Sequence, residues 1–348
     1  MADTVRWGVV GSGGVARRRT IPEGIMQADN ASLVAVYDVD ARVNREVAEE
    51  FGAEAAADLD GLLAADIDAV YIATPAVFHL EQAVAAARAG KHVLCEKPLG
   101  MTVADAEEMI AVSREAGVML GTAFCYRFNT QHLAALEMIE DGKLGTLTYG
   151  RAQLSCWYPP IESAWRQDPA TGGGGSLIDM GGHLIDLLEM FFGELEAVSC
   201  FINNTVHAYE SEDSATAMLR FTSGALATVD AFFCIPDNAC KNVLEVYGSR
   251  GSIISTGTIG QEPAGEMTAY LEESDGAYEA TQAREGVSGE AIAPEPVNTY
   301  MGEVAELPAA VLEGREPTNN AQLGLQSQKV LSACYESART GKVVKLSA

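Results

Sequence analysis

In the first third of the chain, short β-branched apolar runs alternate with Ala-rich helical stretches, and no other feature limits the fold so strongly. The runs VRWGVV (5–10), SLVAVYD (32–38), DAVYIAT (68–74), KHVLCE (91–96) and VMLGTAF (118–124) read as strands. VNREVAEEF (43–51), LEQAVAAARA (80–89) and TVADAEEMIAVSREA (102–116) read as helices. Thr102 and Asp105 predict a capping box at the start of the last of these. Strands that are nearly all apolar and separated by helices belong to a parallel sheet covered on both faces. The expected class is therefore α/β, with a doubly wound parallel sheet at the N-terminal end.

The pattern then changes. After a helix at QHLAALEMIEDG (131–142), strands follow at close spacing: TLTYGRAQLS (146–155), SATAMLRFT (214–222), ALATVDAFFC (225–234) and KNVLEVYG (241–248). They alternate polar with apolar residues and are joined by turns such as Ser223-Gly224, so an open, largely antiparallel sheet is expected. Residues 257–298 are rich in Gly, Glu and Pro and read as irregular; the tail returns to helices at 299–314 and 320–341. A chain of 348 residues suggests two domains. We place them at 1–124 and 125–348, with the helices from 299 onward packing back on the first.

Composition narrows the function classes. A net charge of −26 disfavours nucleic acid or an anionic membrane, because phosphate contacts need clustered Lys and Arg. It also disfavours long-range attraction of polyanionic substrates. No apolar segment is long enough to span a bilayer. MADTVRWGVV lacks the features of a secretory signal, so a cytoplasmic protein is expected. The 7 cysteines are scattered with no C-x-x-C, which predicts reduced thiols and no metal site.

The first strand runs into Gly11-Ser12-Gly13-Gly14-Val15-Ala16, a G-x-G-x-x-A turn. Such a turn brings backbone amides and a helix N-terminus against a pyrophosphate. The second strand ends at Asp38, whose carboxylate can accept from both adenosine ribose hydroxyls and would repel a 2′-phosphate. That favours NAD over NADP, although Arg42 lies close enough to pair with the extra phosphate. Asp38 could instead cap the helix that follows.

Glu96-Lys97-Pro98 closes another strand, and proline holds Lys97 extended at its carboxyl end. That edge of a doubly wound sheet lines the cofactor crevice. In GGGGSLIDMGGH (172–183), Ser176 and Asp179 read as a second capping box. Asp179 and His183 are four apart and share a helix face, with Asp186 one turn beyond. By themselves they fit a capping aspartate and a core histidine better than a functional pair.

Taken together, GSGGVA (11–16), ATPAVFHLEQAVAAARAGKHVLCEKP (73–98) and WRQDPATGGGGSLIDMGGHLIDLL (165–188) resemble the glucose–fructose oxidoreductase/inositol dehydrogenase/MocA family of NAD(P)-dependent oxidoreductases. The resemblance implies a Rossmann domain followed by an α/β domain whose open sheet builds homodimers or homotetramers. It implies catalysis by Lys97, Asp179 and His183, and cofactor contacts from the glycine turn with Thr74, Pro75, His79, Glu96 and Lys97. It also implies sugar or polyol substrates. The sequence departs from the family pattern at Leu307, where an aromatic residue would be expected.

Tyr126, Arg127, Trp157, Trp165 and Arg166 lie near segment ends facing the expected cleft, where aromatic faces and guanidinium groups suit hydroxyl-rich rings. Each aromatic could equally be packing. The leading expectation is NAD-dependent oxidation of a secondary hydroxyl on a sugar or polyol. The alternatives are NADPH-dependent reduction of a keto-sugar, and a non-catalytic cofactor-binding sugar sensor.

Overall fold

Strands β1 (Val5–Val10), β2 (Ala31–Tyr37), β3 (Glu54–Ala55), β4 (Ala69–Ile72), β5 (His92–Cys95) and β6 (Leu120–Thr122) form one sheet in the order β3-β2-β1-β4-β5-β6. Every pairing in it is parallel. The computed structural model describes residues 4–272 and 286–346. Period-two alternation sends neighbouring side chains to opposite faces. Val9 and Tyr71 join the core that contains Trp7, whereas Val10 and Ile72 join the one that contains Leu62. The helices Ala16–Ile25, Ala41–Phe51, His79–Arg88 and Val103–Ala116 connect the strands. Thr102 and Asp105 make the expected reciprocal capping box. The strand order reverses between β1 and β4, and the crevice outside their carboxyl ends is where such sheets bind ligands.

Among the described residues the second sheet has nine strands: β7 (Leu147–Ser155), β8 (Leu195–Asn203), β9 (Ser214–Phe221), β10 (Leu226–Phe232), β11 (Val243–Gly248), β12 (Gly251–Thr256), β13 (Glu266–Leu271), β14 (Gly289–Ala291) and β15 (Val344–Lys345). Their order is β14-β13-β12-β11-β7-β10-β9-β8-β15, antiparallel except for the β7–β10 pair. Strands β13 and β14 correct the irregular assignment of 257–298. Met267 and Ala269 turn inward with the period of a half-buried strand, despite Gly- and Pro-rich flanks. The portion of that stretch from 273 to 285 lies outside the described residues.

One face of this sheet packs on the helices Gly182–Phe192 and Ala321–Thr340 through Leu219, Phe221, Val229 and Val246. The opposite face is open, with Phe201 and Met218 exposed. The end of the chain returns to the first layer. Val304 and Leu307 of helix Thr299–Glu313 pack with Ile21 and Ile25, and Ala321 and Leu325 join Leu99 and Met109. Leu307 is fully buried there, occupying the place where an aromatic was expected. Among the described residues no helix is long and apolar enough to cross a membrane, and no group of His, Cys, Asp and Glu side chains could hold a metal ion.

Candidate active site

The glycine turn leaves β1 at Gly11, whose φ is 76°. A Cβ on Gly11 would stand 2.8 Å from the Ala73 and Thr74 backbone, so the turn tolerates no side chain there. Gly14 faces open space, and the Ser12 hydroxyl is buried without a partner. Val15 leads into helix Ala16–Ile25. Asp38 accepts from the Gly13 amide at 2.9 Å and from the Asp40 amide at 3.0 Å. Asp40, not Asp38, caps the next helix, accepting from the Arg42 and Val43 amides. Each Asp38 oxygen keeps acceptor capacity beyond these bonds. An accessible turn, an orphan hydroxyl and a carboxylate at the end of β2 are what a diphosphate and its ribose require. Arg42 is exposed and paired with Glu46 at 2.8 Å.

At the end of β4, Thr74 lines the cleft and Pro75 opens the helical turn Ala76–Phe78. His79 does not line the cleft. It is 1% exposed, with Nδ1 2.9 Å from the Pro98 carbonyl oxygen and Nε2 2.9 Å from that of Thr74. Burial lowers the ring's pKa, and the single N–H of the neutral ring donates to one of these two carbonyls, bracing the loop after β4 or that after β5. Glu96 accepts from the Tyr71 hydroxyl at 2.5 Å, and Tyr71 in turn accepts from Thr20 at 2.9 Å. Burial raises the Glu96 carboxyl, with Lys97 opposing.

The centre of a cleft of about 400 Å³ is an ionic knot. Lys97 Nζ donates to the Asp179 carbonyl oxygen at 2.6 Å and to Asp179 Oδ1 at 2.8 Å. Arg166 Nε reaches the same Oδ1 at 3.0 Å, and its guanidinium lies 4.2 Å over the Trp165 ring. Burial pushes the Asp179 carboxyl up, but Arg166 and Lys97 outweigh it and hold the group well below the usual carboxylate range. His183 also lines the cleft, its ring 4.7 Å from that of Tyr126 and edge-on to Phe124 at 6.0 Å. Burial first, then the Lys97 charge, pushes its pKa well below the ordinary histidine value. The imidazole is neutral at neutral pH.

The glycine run seats this knot. A Cβ at Gly174 would collide with the Tyr335 hydroxyl, and one at Gly175 with the Glu212 backbone. The predicted Ser176 cap does not form. Ser176 is already helical and its hydroxyl is unpartnered, whereas a capping residue needs extended backbone. Glu212, 5% exposed, takes over: Oε2 accepts from the Gly175 amide at 2.9 Å, and Oε1 from the Leu177 amide at 2.9 Å and the Tyr335 hydroxyl at 3.0 Å. Glu212→Ala would strand these donors at about 1–3 kcal/mol each. The melting temperature should fall by several degrees in calorimetry; an unchanged value would remove Glu212 from this role.

Two of the expected substrate residues lie elsewhere. Arg127 does not line the cleft; its Nε is 2.8 and 2.9 Å from the carboxylate oxygens of buried Asp186. It neighbours Tyr126 on a tight helical turn, so the two side chains leave in different directions. Trp157 stacks edge-on to His207 at 4.8 Å outside the cleft. Tyr126, Trp165 and Arg166 do line it. Glu303 and Tyr300, which were not singled out, line it too. They share an i, i+3, i+4, i+7 stripe with Val304 and Leu307, a spacing that marks a buried helix face.

Comparison with known proteins agrees with the two-part fold. Residues 5–124 match a model described as "Oxidoreductase family, NAD-binding Rossmann fold", and residues 132–254 match the "GFO/IDH/MocA C-terminal domain". The chain is 31% identical to 1,5-anhydro-D-fructose reductase of Ensifer adhaerens, covering 98% of each chain. It is 29% identical to D-xylose 1-dehydrogenase (NADP(+)) 2 of Haloferax volcanii, over 98% of this chain and 99% of that one. The crystal structure of aldose-aldose oxidoreductase from Caulobacter crescentus, complexed with glycerol, superposes with a TM-score of 0.87 at 28% identity, covering 99% of this chain and 100% of that one.

Proposed function

The chain belongs to the GFO/IDH/MocA family of oxidoreductases, and from that premise we propose that it oxidises a secondary hydroxyl of a small neutral sugar or polyol at the expense of NAD. The observation that carries this is the Lys97–Asp179 pair, 2.8 Å long, facing the crevice with His183 one turn further along the helix. Residues 1–124 form the dinucleotide-binding domain and 125–348 the substrate domain, with the helices from 299 onward packed back on the first.

Bound nicotinamide supplies the hydride acceptor. An ammonium group has three donors. Asp179 engages two contacts of Lys97 Nζ, and a remaining proton is available to the substrate oxygen. That donor stabilises the negative charge growing on the oxygen as its proton leaves. His183, neutral and beside Lys97, accepts the proton. Asp179 positions Lys97 and Arg166, and the stacked Trp165–Arg166 pair walls the sugar ring. The relatives named for anhydro-sugars and aldoses support a sugar substrate. The test is NAD reduction across monosaccharides, inositols and glycosides, with the product identified by NMR. No turnover on any of them, with NAD bound, would favour the sensor role instead.

Asp38 is the basis for choosing NAD. Its carboxylate faces the glycine turn, where it would repel a 2′-phosphate. We expect kcat/KM to be about tenfold or more higher with NAD than with NADP, and Asp38→Ser to narrow the gap. A wild-type preference for NADP would favour the second role, an NADPH-dependent keto-sugar reductase. That role is kept by the reductase name of one relative and by Arg42, exposed and held only through Glu46. The open face of the nine-stranded sheet is the surface we assign to homodimer or homotetramer formation, in a cytoplasmic setting.

A further inference from the structure

We infer that Glu303 is a cofactor-binding residue that grips the carboxamide of the nicotinamide ring; this rests on the nicotinamide role proposed above. Glu303 sits on helix Thr299–Glu313, is 1% exposed and lines the catalytic cleft. Neither of its carboxyl oxygens, both buried, has a hydrogen-bond partner. A buried polar group is expensive unless something satisfies it. A glutamate that merely favoured the helix would have pointed to water.

Its place in the cleft identifies the complement. Glu303 acts electrostatically on Tyr71, Cys125 and Tyr300 and is itself raised first by burial and then by Glu96. These neighbours gather at the carboxyl ends of β4, β5 and β6, the side on which a doubly wound sheet receives its cofactor. Asp179 and Arg166, where the sugar is expected, are not among the groups that set its charge. Burial beside another carboxyl favours the acid form of Glu303. A carboxylic acid offers one O–H donor and one acceptor side by side. A primary carboxamide offers an N–H donor and a carbonyl acceptor in the same arrangement, so the two groups match through a pair of hydrogen bonds. A carboxylate could accept but not donate, and a sugar hydroxyl would not need the pairing.

The test compares binding of NAD, ADP-ribose and 3-acetylpyridine adenine dinucleotide to wild type, Glu303→Gln and Glu303→Leu by isothermal titration calorimetry. ADP-ribose lacks the nicotinamide, and in the acetylpyridine analogue a methyl replaces the amide nitrogen. ADP-ribose should bind all three proteins alike. NAD should bind Glu303→Leu about tenfold more weakly and Glu303→Gln within about twofold of wild type, because glutamine keeps one donor and one acceptor. Wild type should prefer NAD over the acetylpyridine analogue, and Glu303→Leu should lose that preference. If Glu303→Leu does not fold, equal affinity of wild type for NAD and the analogue still overturns the assignment. So does unchanged NAD binding in Glu303→Leu, or a parallel loss of NAD and ADP-ribose, which marks a structural role. Failure of wild type to bind any dinucleotide overturns the nicotinamide role itself.

Discussion

Lys97→Met is expected to lower turnover by about a thousandfold or more while NAD affinity stays within a few fold. Methionine preserves the length and apolar bulk of the side chain and removes the charge. What would be lost is the donor proposed to meet the substrate oxygen as it becomes anionic, an interaction much stronger in the transition state than in the ground state. The substitution also reshapes the ionic knot. Asp179 would keep Arg166 Nε at 3.0 Å and lose Lys97 Nζ at 2.8 Å. Some stability should go with it, because a buried carboxylate loses one of its two cations. The decisive measurement is therefore single-turnover hydride transfer at saturating NAD, with a melting curve beside it. A folded variant with near-normal turnover would remove Lys97 from the chemistry.

His183→Ala should cost about 10²–10⁴ in kcat, the usual range for a positioned general base. Little stability should be lost through hydrogen bonding, since Nδ1 is already buried without a partner. The ring's packing on Tyr126 is what disappears. The pH profile separates catalysis from packing. The working form of His183 is neutral, and burial and Lys97 push its pKa well below the ordinary histidine value. Wild-type kcat/KM should therefore hold steady as pH falls through 6.5 and drop only at more acid pH. His183→Ala should lack that acid limb. A wild-type limb at or above 6.5 would point to a different base.

The parts of this molecule legible in the sequence were those whose physics is local. Apolar period, capping at Thr102 and the residue pair Lys97-Pro98 each speak within a few residues, and they led to the parallel sheet and the end of β5. Asp179 and His183 stood out because helix spacing places them on one face. What stayed hidden depended on partners far along the chain. Nothing near residue 212 announces that its carboxylate caps residues 175 and 177. Ser176 carried the local capping signal, but its helical backbone disabled it. Arg127 looked like a cleft residue until Asp186, 59 positions away, claimed it. Strand β8 was missed because a register shift between Leu195 and Ala197 interrupts its alternation, and its last three residues are exposed. Glu303 was passed over because a glutamate in a helix ordinarily means solvent.

The hydroxyl of Tyr335, bonded to Glu212 beneath the glycine run, has a consequence for synthesis. Gln328 reaches the Met101 carbonyl oxygen at 3.2 Å, and Asn319 receives the Thr122 amide at 2.7 Å. Helix Ala321–Thr340 thus ties both layers together from the far end of the chain. Domains emerge from the ribosome N-terminal first, so the parallel sheet can form well before its catalytic partner. The helical turn bearing Asp179 acquires its Tyr335 anchor only after residue 335 has left the exit tunnel. Until then a nascent chain can own a dinucleotide fold yet lack the full seat of Asp179.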